Sequence, residues 1–285
     1  MTVYRLPGMA GEGGTAIVLG GGGNLGATQV GMLRALLERG VEPTVLVGCS
    51  VGALNAAGLA AEPSLAGVDR LEQIWSELDG EAIVAPGRLS ALWLMTRKYR
   101  ALQANDGLRR LLEGSLPFRN FEEARVPLHV VATSMRTGGE RWFCRGPVVE
   151  PILASAALPA VFPPVEINGE LLIDGAVVNN VPISKAVEVG ARRIYVLHVG
   201  NFERPRRAPK RPLDALLQSF SIARNFRFQQ ETEQAPHGTE LIVLPGIDPG
   251  TVKYNDFGRS RELIEKAYRE TATWLDAGHA RAAAN

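Results

Sequence analysis

The sequence predicts an α/β fold with three layers (α/β/α), in which helices cover both faces of a mostly parallel central sheet. Two short aliphatic runs, residues 16–19 and 44–47, are each followed by a glycine-containing turn and then by residues compatible with a helix. Strands that are apolar along their whole length are typical of parallel sheets buried on both faces. A chain of 285 residues, 46% of them hydrophobic, can bury the core of one such domain.

The first sixty residues contain the first two predicted β-turn-α units. The strand at 16–19 leads into a glycine loop at 20–26 and then into a helix, where apolar residues recur at helical spacing until Gly40. The strand at 44–47 leads into a second turn, and Ser50 begins the second helix. Two successive β-turn-α units favour parallel pairing of their strands.

The rest of the chain alternates between helical and strand patterns. Residues 63–121 read as helical, and within them the apolar cluster at 89–102 is either core or a mobile cover over the site. The later predicted elements are a strand at 128–133, a hairpin through 141–144, a helix at 148–157, a hairpin at 167–173 that turns on Asn168-Gly169, a helix at 183–189, a strand at 193–199, a helix at 213–230, a strand at 241–244 and a helix at 259–275.

These patterns predict one domain with a flexible N-terminal segment, 1–14. The catalytic core is expected at 15–200, with 63–121 as a helical insertion or cover. Residues 201–285 are expected to complete the same domain with helices and a strand.

Composition excludes several classes of function. A formal net charge of +1 gives no electrostatic footprint for nucleic acid. Cys49 and Cys144 lie in different settings, so a disulfide framework is not indicated and a reducing compartment fits best. No run resembles a signal peptide or reaches the about 20 apolar residues of a membrane span, which predicts a cytoplasmic protein. Peripheral contact with a membrane stays open, because it needs only an apolar surface. The sequence carries no signal for an oligomeric state.

The candidate nucleophile is Ser50, in the run Gly48-Cys49-Ser50-Val51-Gly52 between a strand and a helix. A serine at such a sharp turn presents its hydroxyl at a helix N-terminus, where unpaired N–H groups favour negative charge. The flanking glycines suit a strained turn that passes close to a neighbouring strand. A strand-to-helix connection without chemistry is the alternative.

The glycine loop has two interpretations. Gly21-x-Gly23-x-x-Gly26 follows a strand and opens a helix, as in a dinucleotide site. The next strand, however, ends in Gly48-Cys49-Ser50 instead of the acidic residue that such a site needs for the ribose. The same backbone N–H groups can hold an oxyanion, and loops that follow neighbouring parallel strands face each other.

Two kinds of residue could serve as the base for Ser50. Asp174 follows an apolar strand, which would deliver its carboxylate to a loop. Of the four histidines, His198 alone approaches the end of a strand, while His129 lies inside one, His237 follows a proline and His279 is in the tail. Asp174 is the favoured base.

Taken together and in order, these motifs resemble those of the patatin-like phospholipases, particularly the bacterial members. The motifs are Gly21-Gly22-Gly23-Asn24-Leu25-Gly26, then Gly48-Cys49-Ser50-Val51-Gly52, then Ala154-Ser155-Ala156-Ala157-Leu158-Pro159 with Phe162-Pro163-Pro164, and finally Asp174-Gly175-Ala176 with Asn179-Asn180-Val181-Pro182. The resemblance extends from about Thr15 to Val199.

The resemblance implies a Ser-Asp dyad without histidine on a three-layer fold. It makes Ser50 the nucleophile and Asp174 the base, and it implies neither a metal nor an organic cofactor. The implied site further comprises an oxyanion hole at Gly21, Gly22, Gly23, Asn24 and Gly26, a nucleophile elbow at Gly48, Cys49, Val51 and Gly52, and an Asp-Gly-Ala motif completed by Gly175 and Ala176.

Leu25 departs from the family pattern, because many members carry Arg or Lys before the last glycine of the loop. Backbone N–H groups can stabilise an oxyanion without that cation. An anionic phosphate or lipid head group, by contrast, loses a partner. The departure therefore bears on the choice of substrate rather than on acyl hydrolysis.

The resulting hypothesis is a serine-dependent hydrolase of lipid or acyl-ester substrates that works through an acyl-enzyme. One alternative is an α/β-hydrolase-type esterase with His198 as base, although only one clear β-turn-α unit precedes Ser50. The other is a binding protein that holds a dinucleotide or an acyl ligand without turnover.

Overall fold

The computed structural model describes residues 13–78, 105–159, 161–199, 208–209, 212–236, 238–249 and 256–282. The predicted flexible segment up to residue 12, the predicted core or cover at 89–102 and His237 lie outside these residues.

The described part of the chain contains one sheet of eight strands. The strands are β1 (Gly14–Leu19), β2 (Val45–Cys49), β3 (Leu128–Ser134), β4 (Glu140–Phe143), β5 (Val165–Ile167), β6 (Glu170–Asp174), β7 (Ala191–Leu197) and β8 (Glu240–Val243). Their spatial order is β5-β6-β3-β2-β1-β7-β8, with β4 beside β3. In this spatial order, the neighbouring strands β3, β2, β1, β7 and β8 are all parallel to one another. Strands β4 and β6 pair antiparallel with β3, and β5 pairs antiparallel with β6. The predicted mostly parallel sheet is confirmed.

Helices cover both faces of this sheet. They are α1 (Ala27–Leu37), α2 (Val51–Ala61), α3 (Leu65–Glu77), α4 (Asp106–Ser115), α5 (Val149–Ser155), α6 (Ile183–Glu188), α7 (Pro212–Glu233) and α8 (Ser260–Ala282). Ile17 and Leu19 of β1 pack in a core with α1, α2 and α8. Ala16 and Val18, which alternate with them, pack on the other face with α6 and α7. This two-sided burial confirms the predicted three layers.

Local turn chemistry also agrees with the sequence. Asn168 and Gly169 have φ angles of 52° and 76°, as a two-residue hairpin turn between β5 and β6 requires. Of the helices in the described part, none has the length and apolar composition needed to cross a bilayer.

The last helix is longer than predicted and packs tightly on the first. Its apolar residues Leu263, Ile264 and Ala267 belong to the same core as Val30 and Leu33 of α1. At Gly31 the two helices approach so closely that a Cβ atom would lie 2.1 Å from the carbonyl oxygen of Ile264. The glycine therefore sets the distance between α1 and α8.

We expect Gly31→Ala to lower the free energy of unfolding by about 1–3 kcal/mol, because the added methyl must push α8 away. Urea denaturation measures the change. Gly114→Ala in α4 is the matched control, since a Cβ atom there meets no heavy atom within 4 Å and alanine favours a helix. If Gly31→Ala were as stable as the wild type, the contact between the two helices would not be tight.

Candidate active site

Ser50 lies at a strained turn between β2 and α2. Its φ of 54° and ψ of −126° fall in a region that a residue with a side chain rarely adopts. The turn is held by its own hydrogen bonds: the Ser50 N–H donates to Ser155 Oγ at 2.8 Å, and the Ala53 N–H donates to the Ser50 carbonyl at 2.9 Å. A Cβ atom at Gly52 would lie 2.1 Å from the Leu19 carbonyl oxygen. Only glycine fits this position of the predicted elbow.

Asp174 ends strand β6 and begins a 3-10 turn, Gly175–Val177. Its backbone is fixed on both sides, because the Asp174 N–H donates to the Ala157 carbonyl at 3.0 Å and Thr133 Oγ1 donates to the Asp174 carbonyl at 2.8 Å. The side chain is fixed as well, since the Ala176 N–H donates to Asp174 Oδ1 at 2.8 Å. The remaining carboxylate oxygen, Oδ2, therefore has a defined direction.

That oxygen accepts a hydrogen bond from the Ser50 hydroxyl, with Oγ and Oδ2 2.7 Å apart. Asp174 is 2% exposed and Ser50 is 8% exposed. Burial raises the pKa of Asp174 from 3.8 to about 6, although hydrogen bonds from Ala176 and Ser50 and the charge of Arg224 oppose the rise. A carboxyl group with this pKa is ionised at neutral pH and still able to accept a proton, as a general base must.

The glycine loop lies beside Ser50, because β1 and β2 are parallel neighbours. The Gly21 N–H donates to the Asn180 carbonyl at 3.1 Å, so that amide is already occupied. Within the described residues, the N–H groups of Gly22 and Gly23 have no hydrogen-bond acceptor, and both glycines line the same cavity as Ser50. These two amides remain the predicted donors to an oxyanion.

The other loop residues hold the loop in place. The Asn24 side chain donates to the Asp256 carbonyl at 2.8 Å. The Gly26 carbonyl accepts from Asn55 Nδ2 of α2 at 2.9 Å. Leu25 packs against the core under α1 and α2. The predicted oxyanion-hole segment is thus anchored to α2 and to the C-terminal part of the chain.

His198 lies at the end of a strand that does not pair with β2. It follows β7, which is two strands from β2 in the sheet. Its ring faces Phe228 of α7, with ring centroids 5.4 Å apart. Since the Ser50 hydroxyl donates to Asp174, the geometry favours the Ser-Asp pair over the His198 alternative.

An apolar cavity of about 360 Å³ opens against Ser50 and Asp174. One wall follows a single face of α2, formed by Val51, Leu54, Gly58 and Ala61. Eleven residues of helix give this wall a length of about 16 Å. The facing wall comes from α3, α4 and residues nearby, namely Leu71, Ile74, Trp75, Leu108, Leu111, Leu112 and Leu116.

Sequence reasoning missed three contributors to this site. Ser155 belongs to one of the sequence motifs but had no role assigned to it, yet it is fully buried and its hydroxyl oxygen accepts a hydrogen bond from the Ser50 N–H. Asn180 likewise orders the glycine loop through its carbonyl. Arg224 of α7 lines the cavity, and no motif marks it. Only the Ala-Ser-Ala and Asn-Asn motifs offered a signal, because small and amide residues stood there in an otherwise apolar context.

Comparison with known proteins agrees with this geometry. Residues 17–187 match the sequence model of the family described as patatin-like phospholipase. The chain belongs to this family. Since the patatin-like match ends at residue 187, α7 and α8 lie outside it.

Relatives occur in animals, bacteria and fungi. Patatin-like phospholipase domain-containing protein 7 of Rattus norvegicus is 29% identical over 65% of this chain and 14% of its own length. An uncharacterized NTE family protein of Mycobacterium bovis is 32% identical over 62% of this chain and 46% of its own. Lysophospholipase NTE1 of Cryptococcus neoformans is 28% identical over 66% and 11%. The chain thus spans less than half of each relative.

We expect Asp174→Asn to stabilise the protein at pH 8 by about 3 kcal/mol, because the folded state then no longer buries a charge. A raised carboxyl pKa favours the neutral form, so its contribution to stability is complete below the unfolded pKa and is lost as the pH rises through about 6. The gain should therefore vanish at pH 3. Urea denaturation at both pH values measures it, and an equal gain at pH 3 would show that burial of the charge is not the cause.

Proposed function

We propose that this protein is a serine-dependent lipid acyl hydrolase of the phospholipase A, lysophospholipase or esterase type, with Ser50 and Asp174 as its catalytic dyad. The observation that carries the proposal is the buried hydrogen bond of 2.7 Å from Ser50 Oγ to Asp174 Oδ2 at the end of an apolar cavity. The family supports a lipid substrate.

In the acylation half of the reaction, Ser50 Oγ attacks the ester carbonyl carbon while Asp174 Oδ2 accepts the hydroxyl proton. The Gly22 and Gly23 N–H groups donate to the carbonyl oxygen as it becomes an oxyanion. When the tetrahedral intermediate collapses, the C–O bond to the leaving alcohol breaks and Asp174 returns its proton to that oxygen. The acyl group remains on Ser50 as an ester.

In the deacylation half, water attacks the acyl-enzyme carbonyl and Asp174 accepts a proton from it. Collapse of the second intermediate releases the fatty acid, and the proton returns to Ser50 Oγ. Each half therefore uses Asp174 first as base and then as acid, which a carboxyl group with a pKa of about 6 can do. The hydrogen bond from the Ala176 N–H keeps the carboxylate oriented throughout, including in the acyl-enzyme, where Ser50 Oγ has no proton to donate.

The cavity fits the acyl chain of such a substrate. Its walls along α2, α3 and α4 are apolar, and it begins at the Ser50 hydroxyl. An acyl chain lying along α2 would be removed from water over most of its length, which supplies binding free energy in proportion to the apolar area buried. The setting we propose is the cytoplasm, with peripheral contact at the lipid surface that presents the substrate.

We expect Ser50→Ala and Asp174→Asn each to lower kcat for p-nitrophenyl butyrate by about 1,000-fold or more, because the two residues act as a unit. His198→Asn is the matched control and should retain most of the activity. For the wild type, kcat/KM should rise with pH up to about 6 and then level off, since protonated Asp174 cannot act as a base.

Full activity in Ser50→Ala would contradict the mechanism. Loss of activity in His198→Asn, with its folding intact by circular dichroism, would instead favour the esterase with a histidine base. Absence of labelling by a fluorophosphonate, together with a rise in Tm on adding NAD, would favour the binding protein.

We expect Gly58→Leu to shorten the acyl chain that the enzyme accepts. Gly58 lies on the α2 wall, and it packs so closely on Leu71, another lining residue, that a Cβ atom there would be 2.5 Å from Leu71 Cδ2. A leucine at this position must therefore push the Leu71 side chain aside and fill part of the cavity. Hydrolysis of p-nitrophenyl laurate should fall by about tenfold or more relative to p-nitrophenyl acetate. An unchanged rate of p-nitrophenyl acetate hydrolysis shows that the variant is folded. An unchanged ratio of the two rates would place the acyl chain elsewhere.

A further inference from the structure

Arg224 lies beside the dyad although it comes from a helix outside the family match. Phe220 of α7 packs against the cluster that contains Cys49 and Ala176, which lie one residue before Ser50 and two residues after Asp174. One helical turn later, the Arg224 guanidinium lies over the Phe220 ring, 5.2 Å from its centroid. Phe220 and Arg224 both line the cavity that contains Ser50 and Asp174. Packing of α7 therefore places a positive charge at the reactive end of the cavity.

Among the described residues that line this cavity, three are ionisable, namely Arg70, Asp174 and Arg224. Arg70 is at the other end of α2, where its guanidinium is 3.5 Å from Glu62, the residue that follows the helix. The length of α2, about 16 Å, separates that end from Ser50. In the glycine loop, the position before the last glycine holds the apolar side chain of Leu25. Of the two arginines among the described lining residues, Arg224 is therefore the one that lies beside Ser50 and Asp174.

We propose that Arg224 binds the phosphodiester group of a phospholipid substrate and so supplies the cation that the glycine loop lacks. The inference rests on the proposed function and names the substrate class of the same site. An arginine guanidinium matches phosphate with two parallel hydrogen bonds, and it can stack on an aromatic ring at the same time. Phe220 provides that ring, so the guanidinium is oriented before the substrate arrives.

The surroundings of Arg224 make this interaction strong. The cavity is otherwise lined mostly by apolar side chains, and an ion pair gains more there than in water. The guanidinium charge also opposes the rise in the pKa of Asp174 that burial causes, as expected for a cation close to the dyad. An ester joined to a phosphate would then have its acyl chain along α2 and its head group at α7.

The test compares two substrates that share the acylglycerol part and differ in the phosphoglycerol head group, 1-octanoyl lysophosphatidylglycerol and 1-octanoylglycerol, each below its critical micelle concentration. We expect the wild type to prefer the phospholipid. Arg224→Gln should lower the ratio of the two kcat/KM values by about tenfold or more, mainly through KM for the phospholipid. Arg224→Lys should restore part of the preference. Arg227→Gln is the matched control, because Arg227 lies on the same helix, pairs with Glu231 at 2.7 Å and is not among the described lining residues.

Three results would overturn the inference. The first is a wild type that hydrolyses both lipids without preference for the phospholipid. The second is a variant, Arg224→Gln, in which kcat/KM falls equally for both lipids and the acid limb of the pH profile shifts. That result would mean that Arg224 acts only through Asp174. The third is an effect of the same size in Arg227→Gln.

Binding to Ser50→Ala, measured by calorimetry, separates this inference from the proposed function. Ser50→Ala should bind the lysophospholipid more tightly than octanoylglycerol, and adding Arg224→Gln should remove the difference. If the wild type hydrolyses neither lipid but this difference is found, only the proposed function fails. If glycerophosphoglycerol, which has no acyl chain, binds as tightly as the lysophospholipid, the site serves a free anion and the inference is wrong.

Discussion

The site depends on the register of one strand, β3, which lies between the two strands that carry the dyad. Val131 of β3 pairs with Cys49, the residue before Ser50, and the next residue, Ala132, pairs with Asp174. Two strand spacings of about 4.8 Å separate the strands on either side of β3, and the side chains of Ser50 and Asp174 bridge that gap beyond the strand ends. A slip of one residue would turn every side chain of a strand to the opposite face, so the buried core of β3 fixes the dyad as well.

This arrangement costs stability at the point where it creates reactivity. Ser50 has a positive φ, and Asp174 holds a negative charge with almost no exposure to water. Such strain persists only where the surroundings determine the conformation fully. Here the hydrogen bonds from Ala176 and Ser50 stabilise the carboxylate, and the bond from the Ser50 N–H to Ser155 fixes the turn. The same contacts orient the hydroxyl and the carboxylate toward each other.

The parts of the site that follow from local backbone sterics could be predicted from the sequence. The elbow at Gly48 to Gly52, the glycine loop and the turn at Asn168-Gly169 each need specific residues at adjacent positions. The contributions of Ser155, Asn180 and Arg224 could not be predicted, because they arise when segments far apart in the chain pack together. The extent of α8 was underestimated for the same reason: beyond its predicted end at residue 275, Asp276 pairs with Arg39, a residue far away in the chain.

Chemistry and recognition come from different segments of this chain. The proposed nucleophile, the proposed base and the glycine loop lie within residues 17–187, the part that matches the family. Phe220 and Arg224, and also Phe257 on the cavity wall, lie beyond it. Phe220 packs on the small cluster of Cys49, Val131 and Ala176, which adjoins the dyad. By the proposal above, this chain, whose glycine loop holds Leu25 in place of a cation, obtains its phosphate ligand from α7, a helix that follows the residues matching the family.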